Sequence, residues 1–208
     1  MNKPMQTVIE IPLKGTRPYI HSTDLWNGVA QKLGASFGTS GTLKVNIRAL
    51  SKMSVELVAP QPKPTGKLIG DITHSASKTR LIMIEATQPS VGQLADHDAI
   101  LENEIQLRDG AAVVPENISA TPVEGVVAAY KILLTQMFPQ IDKWLALCID
   151  IPLDLLAPAT SSLTVSHKSD VGGKTFFAHI LNESDVKIGQ LTFMGIDKQA
   201  YLDMEATL

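Results

Sequence analysis

The chain has 208 residues, 44% of them hydrophobic, with a formal net charge of −3 and one cysteine. That apolar content is enough to fill one core or two small ones. The scattered Lys and Arg exclude the basic stripe that nucleic acid or anionic lipid requires. A lone cysteine excludes an internal disulfide, and Cys148, inside "WLALCIDI", reads as a small core residue.

The first residues, "MNKPMQTVIEIPLKG", lack an apolar core of signal-peptide length. No later run approaches the ~20 apolar residues of a membrane span, so a soluble, cytoplasmic protein is expected. "TVIEIPL" alternates apolar and polar residues and predicts a strand. "STDLWNGVAQKLGASFG" predicts a helix, with Ser22, Thr23 and Asp24 as N-cap candidates, Leu25, Val29 and Leu33 on one face and glycine at its exit. Three strand-like runs follow: "LKVNIRALSKMSVELVA", "KLIGDITHS" and "TRLIMIEAT". Pro60, Pro62 and Pro64 mark a stiff connection between the first two.

The order then recurs. "AILENEIQLR" predicts a strand, and "TPVEGVVAAYKILLTQMF" a longer, more apolar helix with Pro122 in its first turn. "WLALCIDIPLDLL", "SSLTVSHKS", "TFFAHILNE" and "KIGQLTFMGI" predict strands. Each half therefore reads as strand, helix, then three or four antiparallel strands. The boundary falls within "QPSVGQLADHDAILE", giving halves of residues 1–100 and 101–208.

Short segments also recur in order, at offsets of 93 to 98. "MSVELVAP" from Met53 answers "IPLDLLAP" from Ile151, and "EIPLK" from Glu10 answers "EIQLR" from Glu104. "NGVA" from Asn27 answers "EGVV" from Glu124, "THS" from Thr73 answers "SHK" from Ser166, and "KT" at Lys78 answers "KT" at Lys174. "VGQL" from Val91 answers "IGQL" from Ile188. The period is too long for a solenoid, and an internal duplication of two domain-sized units is expected, with the recurring strings on equivalent strands.

A long helix followed by an antiparallel meander resembles the hotdog fold, in which a curved sheet wraps a central helix. The resemblance is carried by Leu155 to Pro158, Val165 to Ser169, Lys174 to Glu183 and Gly189 to Leu191, which are similar to the sheet of acyl-CoA thioesterases of that superfamily. It implies an α+β fold of two hotdog units in one chain and a substrate that is an acyl-CoA or acyl-carrier thioester. It implies thioesterase-like hydrolysis, with dehydratase-like chemistry as a variant. The alternative is a hotdog that binds an acyl or aromatic ligand, or acts as a scaffold, without catalysis. Neither catalytic signature of the superfamily is intact. Asn27-Gly28 and Glu124-Gly125 stand where thioesterases often carry His-Gly-Gly, and Ala35 and Ile132 fall where a later acid is expected. His21 lies seven residues before Gly28, near but not at the dehydratase spacing, and Leu33 or Tyr130 takes the place of the helix acid.

The chemistry needs a helix amino terminus, whose free N–H groups polarise a carbonyl, and a base or nucleophile beside it. Gly28 and Gly125 suit close approach of a carbonyl. Glu124, in an apolar segment, is the candidate base, with its pKa expected to rise; its plainer role is a first-turn acid on the helix dipole. His21 with Asp24 is a candidate imidazole–carboxylate pair, or simply a loop residue and an N-cap. Asn27 completes the set if residues of both halves build one site. Lys168 or Lys174 would meet nucleotide phosphates. His74 and His167 read as structural. "ADHDA" (Asp96, His97, Asp98) looks metal-like, but adjacent residues on a strand point to opposite faces, and no metal is expected. "DVGGKT" reads as a hairpin turn rather than a phosphate loop. Trp26 and Trp144 are expected in the core or at the interface of the halves. No cofactor is implied, and pairing of free sheet edges would make a homodimer.

Overall fold

The computed structural model describes residues 7–37, 40–60, 64–94, 96–157 and 160–206. Pro62, Gly38 and Pro158, singled out above, lie outside these residues. The chain runs β1 (Thr7–Ile9), β2 (Leu13–Lys14), α1 (Ser22–Phe37), β3 (Thr42–Ile47), β4 (Met53–Val58), β5 (Leu68–His74), β6 (Arg80–Pro89) and β7 (Gln93–Leu94). It continues through α2 (Asp98–Glu104), β8 (Gln106–Arg108), β9 (Ala111–Val114), α3 (Pro122–Met137), β10 (Lys143–Pro152) and a 3₁₀ turn at Leu153–Leu156. It closes with β11 (Leu163–Val171), β12 (Thr175–Leu181), β13 (Lys187–Ile196) and α4 (Lys198–Ala206). The fold is α+β, a large antiparallel sheet with few helices.

Eleven strands form one sheet in the order β1-β4-β6-β5-β3-β10-β13-β12-β11-β9-β8. The seam is the antiparallel pair β3–β10, with Val45 opposite Ile149 and Leu43 opposite Ile151. Residues on one face alternate as burial demands: Leu43 and Val45, Ile149 and Ile151, Phe176 and Ala178, and Leu191 and Phe193 are all buried. α3 packs on β9 and β11, α1 on β1, β3 and β10, and the two helices touch. A single buried cluster runs from Ile9 and Trp26 through Ile149 to Phe193, so both sides of the seam share one core. No helix among the described residues is long and apolar enough to cross a membrane.

Three expectations change. "AILENEIQLR" is not a strand but α2 followed by β8, because Leu101 and Ile105 lie one helical turn apart and both are buried. β9 instead precedes α3. "LKVNIRALSKMSVELVA" breaks at residues 48–52 into β3 and β4, which are not neighbours.

Most of the recurring strings do not occupy equivalent strands. Met53–Val58 forms β4, next to β1, whereas Ile151 and Pro152 end β10 at the seam and Leu153 opens the 3₁₀ turn. "THS" ends β5 but "SHK" lies within β11; "VGQL" meets β2 outside the large sheet, but "IGQL" lies in β13. Numbered in chain order from the outer edge to the seam, the five strands of the first side run 1-3-5-4-2 and the six of the second 1-2-4-5-6-3. "NGVA" and "EGVV" sit alike, on α1 and α3, and "KT" leads into the third strand from the seam on each side, β6 and β12. A short apolar–acid–apolar string before Pro suits the end of any half-buried strand, which is why it recurs without shared position.

Ile149 is fully buried in the seam. Ile149→Ala should destabilise the chain by about 3 kcal/mol in denaturant titration, with one cooperative transition retained. Two separated transitions would contradict the shared core.

Candidate functional site

Polar groups concentrate where α1 and α3 begin. α3 starts with a capping box: Thr121 at the N-cap accepts from the Glu124 backbone N–H (3.3 Å), and the Thr121 backbone N–H donates to Glu124 Oε2 (3.0 Å). Glu124 Oε1 takes the buried ammonium of Lys14 in an ion pair. Lys14 reaches it because the two-residue strands β2 and β7 run parallel, and the Gly15 N–H donates to the Leu94 carbonyl (2.9 Å). Asn27 of α1 donates to Thr121 Oγ1 (3.3 Å), tying the two helix entrances together.

α2 brings a second charged layer. Asp98 Oδ2 accepts from Arg17 (2.6 Å) and from Lys131 of α3 (3.0 Å), and Asp96 lies 3.4 Å from Arg17. Although burial opposes ionisation of Asp98, Lys131 and Arg17 hold its carboxyl far below the usual range. His97 Nδ1 is 4.0 Å from Glu124 Oε1.

His21 precedes α1, where the Ile20 N–H donates to Ser51 (2.8 Å), and its Nδ1 bonds Thr23 Oγ1 (2.8 Å). Burial, then the cations Arg17 and Lys14, push its pKa down to about 3. The imidazole is therefore neutral at every physiological pH. Asp24 is buried beside the same cluster and its Oδ2 finds no partner among the described residues. Burial, aided by Glu124 and opposed by Lys14, raises its pKa to about 6.

A cleft of about 340 Å³ opens over these groups, with Lys14, Arg17, His21, Glu124 and Lys131 on its polar side and Val127, Trp144 and Phe193 on its apolar side. A smaller pocket of about 50 Å³ adjoins it, sharing Tyr19, His21, Ser22 and Trp144 as walls and closed by Leu25, Val55 and Ile69. Tyr201 of α4 stands at the cleft, its hydroxyl 3.0 Å from that of Tyr19.

Glu124 and His21, from opposite sides of the seam, both line the cleft, whereas Asp24 and Asn27 lie at the helix entrances beside it and do not line it. The structure corrects other expectations. The Glu124 pKa is not raised: burial raises it, but hydrogen bonds from Lys14 and Thr121 outweigh that, and the carboxyl sits below its ordinary value. Gly28 and Gly125 do not offer room to a carbonyl. A Cβ on Gly28 would meet Ile9 and Ile11 at 3.2 Å, and one on Gly125 would meet Val114 at 2.8 Å, so both glycines let a helix approach the strand before it. The Gly125 N–H is spent on Thr121 O (3.0 Å), and Gly28, seventh in α1, lies past the free amides of the first turn. Lys168 and Lys174 are exposed on β11 and its hairpin and do not line the cleft. His21 and Asp24 are not bonded to each other; Thr23 takes the imidazole.

Lys14, Arg17, His97, Asp98 and Lys131 were missed as site residues. "ADHDA" was a visible signal, read for metal rather than for ion pairing; among the described residues no cluster of three or more His, Cys, Asp or Glu is arranged to hold a metal. His74 is buried, bonded to Ser77 (2.9 Å) and Ser40 O (2.9 Å) and stacked on Phe37, while His167 bonds the Tyr130 hydroxyl (3.1 Å) and packs against Phe138. Burial pushes the Cys148 thiol up to about 11, so it stays protonated. Gly172 and Gly173 take φ of 61° and 63° in the β11–β12 hairpin, as a tight primed turn requires. Trp26 is fully buried, and Trp144 borders the cleft.

No protein-family profile matches the chain, and no curated protein does. Solved structures similar to it include the tesB protein of Mycobacterium avium subsp. paratuberculosis (TM-score 0.48, 8% identity, 92% of this chain and 93% of that one). The dehydratase domain of PpsC from Mycobacterium tuberculosis in complex with C12:1-CoA is similar at TM-score 0.47 and 5% identity, over 93% of each chain. A protein of unknown function with a hot dog fold from Alicyclobacillus acidocaldarius is similar at TM-score 0.45 and 6% identity, again over 93% of each.

Removing one partner of a buried pair strands the other charge. Lys14→Met should cost about 3 kcal/mol in chemical denaturation, and Lys14→Met with Glu124→Gln should cost less than the sum of the singles. Additive losses would show that the pair contributes nothing. Asp24 gives a pH signature. Well below 3.8 its carboxyl is protonated in folded and unfolded chains alike; between 3.8 and about 6 only the folded chain holds the proton. Stability therefore falls as pH rises through that window. Relative to wild type, Asp24→Asn should gain about 2 kcal/mol between pH 4 and 7, and a pH-independent difference would refute the buried proton.

Proposed function

We propose that the chain is a pair of hotdog-like units, residues 1–100 and 101–208, sharing one acyl-thioester site at the cleft, and that it hydrolyses the thioester there. The observation that carries this reading is the convergence of a neutral His21 from the entrance of α1 and an ionised Glu124 from the first turn of α3 on a cleft with an apolar pocket beside it. A thioester needs a donor for its carbonyl oxygen, a base for water and dry space for its acyl group. The mechanism uses the tautomer in which Thr23 donates to Nδ1, so that His21 carries its proton on Nε2 and presents that N–H to the carbonyl. Glu124 takes a proton from water as the oxygen adds to the carbonyl carbon. The C–S bond then breaks, and the thiolate leaves and is protonated. Dehydration of a hydroxyacyl thioester would use the same two groups.

A second reading, ligand binding without turnover, is favoured by one observation. Both Glu124 oxygens already accept, one from Lys14 and one from Thr121, and a carboxylate so held is a weak base.

Thiol release from short, medium, long and aryl acyl-CoAs decides between them. Glu124→Gln, which preserves the cap, should lower kcat by about 100-fold or more, and His21→Ala by a similar factor. Because the His21 pKa lies near 3, its imidazole should give the rate no limb near pH 6.5, and any limb near 6 should belong to Asp24 and vanish in Asp24→Asn. Binding of an acyl-CoA with equal inertness of wild type and variants would favour the second reading. Turnover unaffected by Glu124→Gln would keep the enzyme and discard that residue.

A further inference from the structure

The pocket behind His21 is small and mostly apolar, and the general reading of the cleft does not explain its size. Its far walls are Leu25, Val55 and Ile69, all nearly inaccessible to solvent. Val55 is paired with Glu85 across β4 and β6, and Ile69 sits at the bulge between Leu68 and Gly70, where the β3–β4 connection bonds its carbonyl. Its near edge is the β3–β4 connection, where the Ala49 N–H donates to Ile69 O (3.2 Å) and the Arg48 N–H to the same oxygen (2.8 Å). Ser51 pins that connection twice, accepting from Ile20 N–H (2.8 Å) and donating to Glu85 (2.7 Å). The pocket thus has a fixed depth, and its mouth is His21, Ser22 and Trp144, which also face the polar cleft.

We infer that this pocket is a length gauge: the site takes a short acyl group of about four carbons, with Ile69 and Ala49 setting the limit. The inference rests on the acyl-thioester reading of the cleft. About 10–15 Å³ admits one water-sized group, so the free space of about 50 Å³ admits roughly four. Up to that length each methylene leaves water for an apolar wall and tightens binding about fourfold. Beyond it, a further methylene must displace Val55 or Ile69 from a packed core.

The test is a titration of the full chain with acyl-CoAs of two, four, six, eight and twelve carbons. Binding is followed by tryptophan fluorescence, since Trp144 borders both spaces whereas Trp26 is fully buried; Trp144→Phe should remove the signal, and calorimetry supplies the affinity independently. Affinity should peak near four carbons and fall at least tenfold by eight. Ala49→Leu, at a half-buried position on the near edge of the pocket, should weaken butyryl-CoA more than acetyl-CoA. Ile69→Val, the mildest enlargement of the floor, should move the optimum toward longer chains. A steady rise in affinity to twelve carbons, or an unchanged length profile in both folded variants, would overturn the gauge while leaving the acyl reading intact. Failure of every acyl-CoA to bind would overturn the gauge together with the reading beneath it.

Discussion

The buried pair between Lys14 and Glu124 is the contact on which the arrangement of the site depends. A lysine ammonium and a carboxylate out of water are each costly, and the pair is tolerable only with good geometry and further hydrogen bonds. The further hydrogen bonds are present. Parallel pairing of β2 with β7 delivers Lys14, and the α3 capping box supplies the second partner for Glu124. The pair joins the chain just after β1 to the helix across the seam, so the entrance of α3 is fixed by residues 110 positions away.

That pair also sets the electrostatics around it. The Lys14 charge helps keep His21 neutral and partly offsets the burial of Asp24, while Arg17 and Lys131 are balanced by Asp98. The outcome is a cleft whose charges nearest His21 are paired with one another, with His21 as the polar group set between a charged wall and an apolar one. Such a site favours a ligand that places a polar, uncharged group at His21 and an apolar group beyond it. A thioester has that form.

Much of the secondary structure was legible, because it rests on local periodicity. The two long helices and most of the later strands followed from spacing and from Pro122 in the first turn of α3. The α2 segment was misread because seven residues carry few period-3.6 positions. The recurring strings were misread as equivalent strands because a six-residue apolar–acid pattern encodes half-burial, not position in a sheet. Of the site, His21, Asp24, Asn27 and Glu124 were visible as polar residues near helix starts. Lys14 was not, because nothing local distinguishes a lysine that ends a strand in water from one that ends it against a carboxylate. The sign of the Glu124 shift was lost for the same reason: its apolar neighbours are in the sequence, but its cation is 110 residues away. The roles of Gly28 and Gly125 depended on which strand lies behind each helix, which only the tertiary fold decides.

The most direct measurement is a crystal structure with a non-hydrolysable thioether analogue of butyryl-CoA. This account places the sulfur at the cleft between His21 and Glu124 and the acyl carbons against Leu25, Val55 and Ile69. A ligand seated elsewhere, or an acyl chain running out along α3 with the small pocket unfilled, would contradict it.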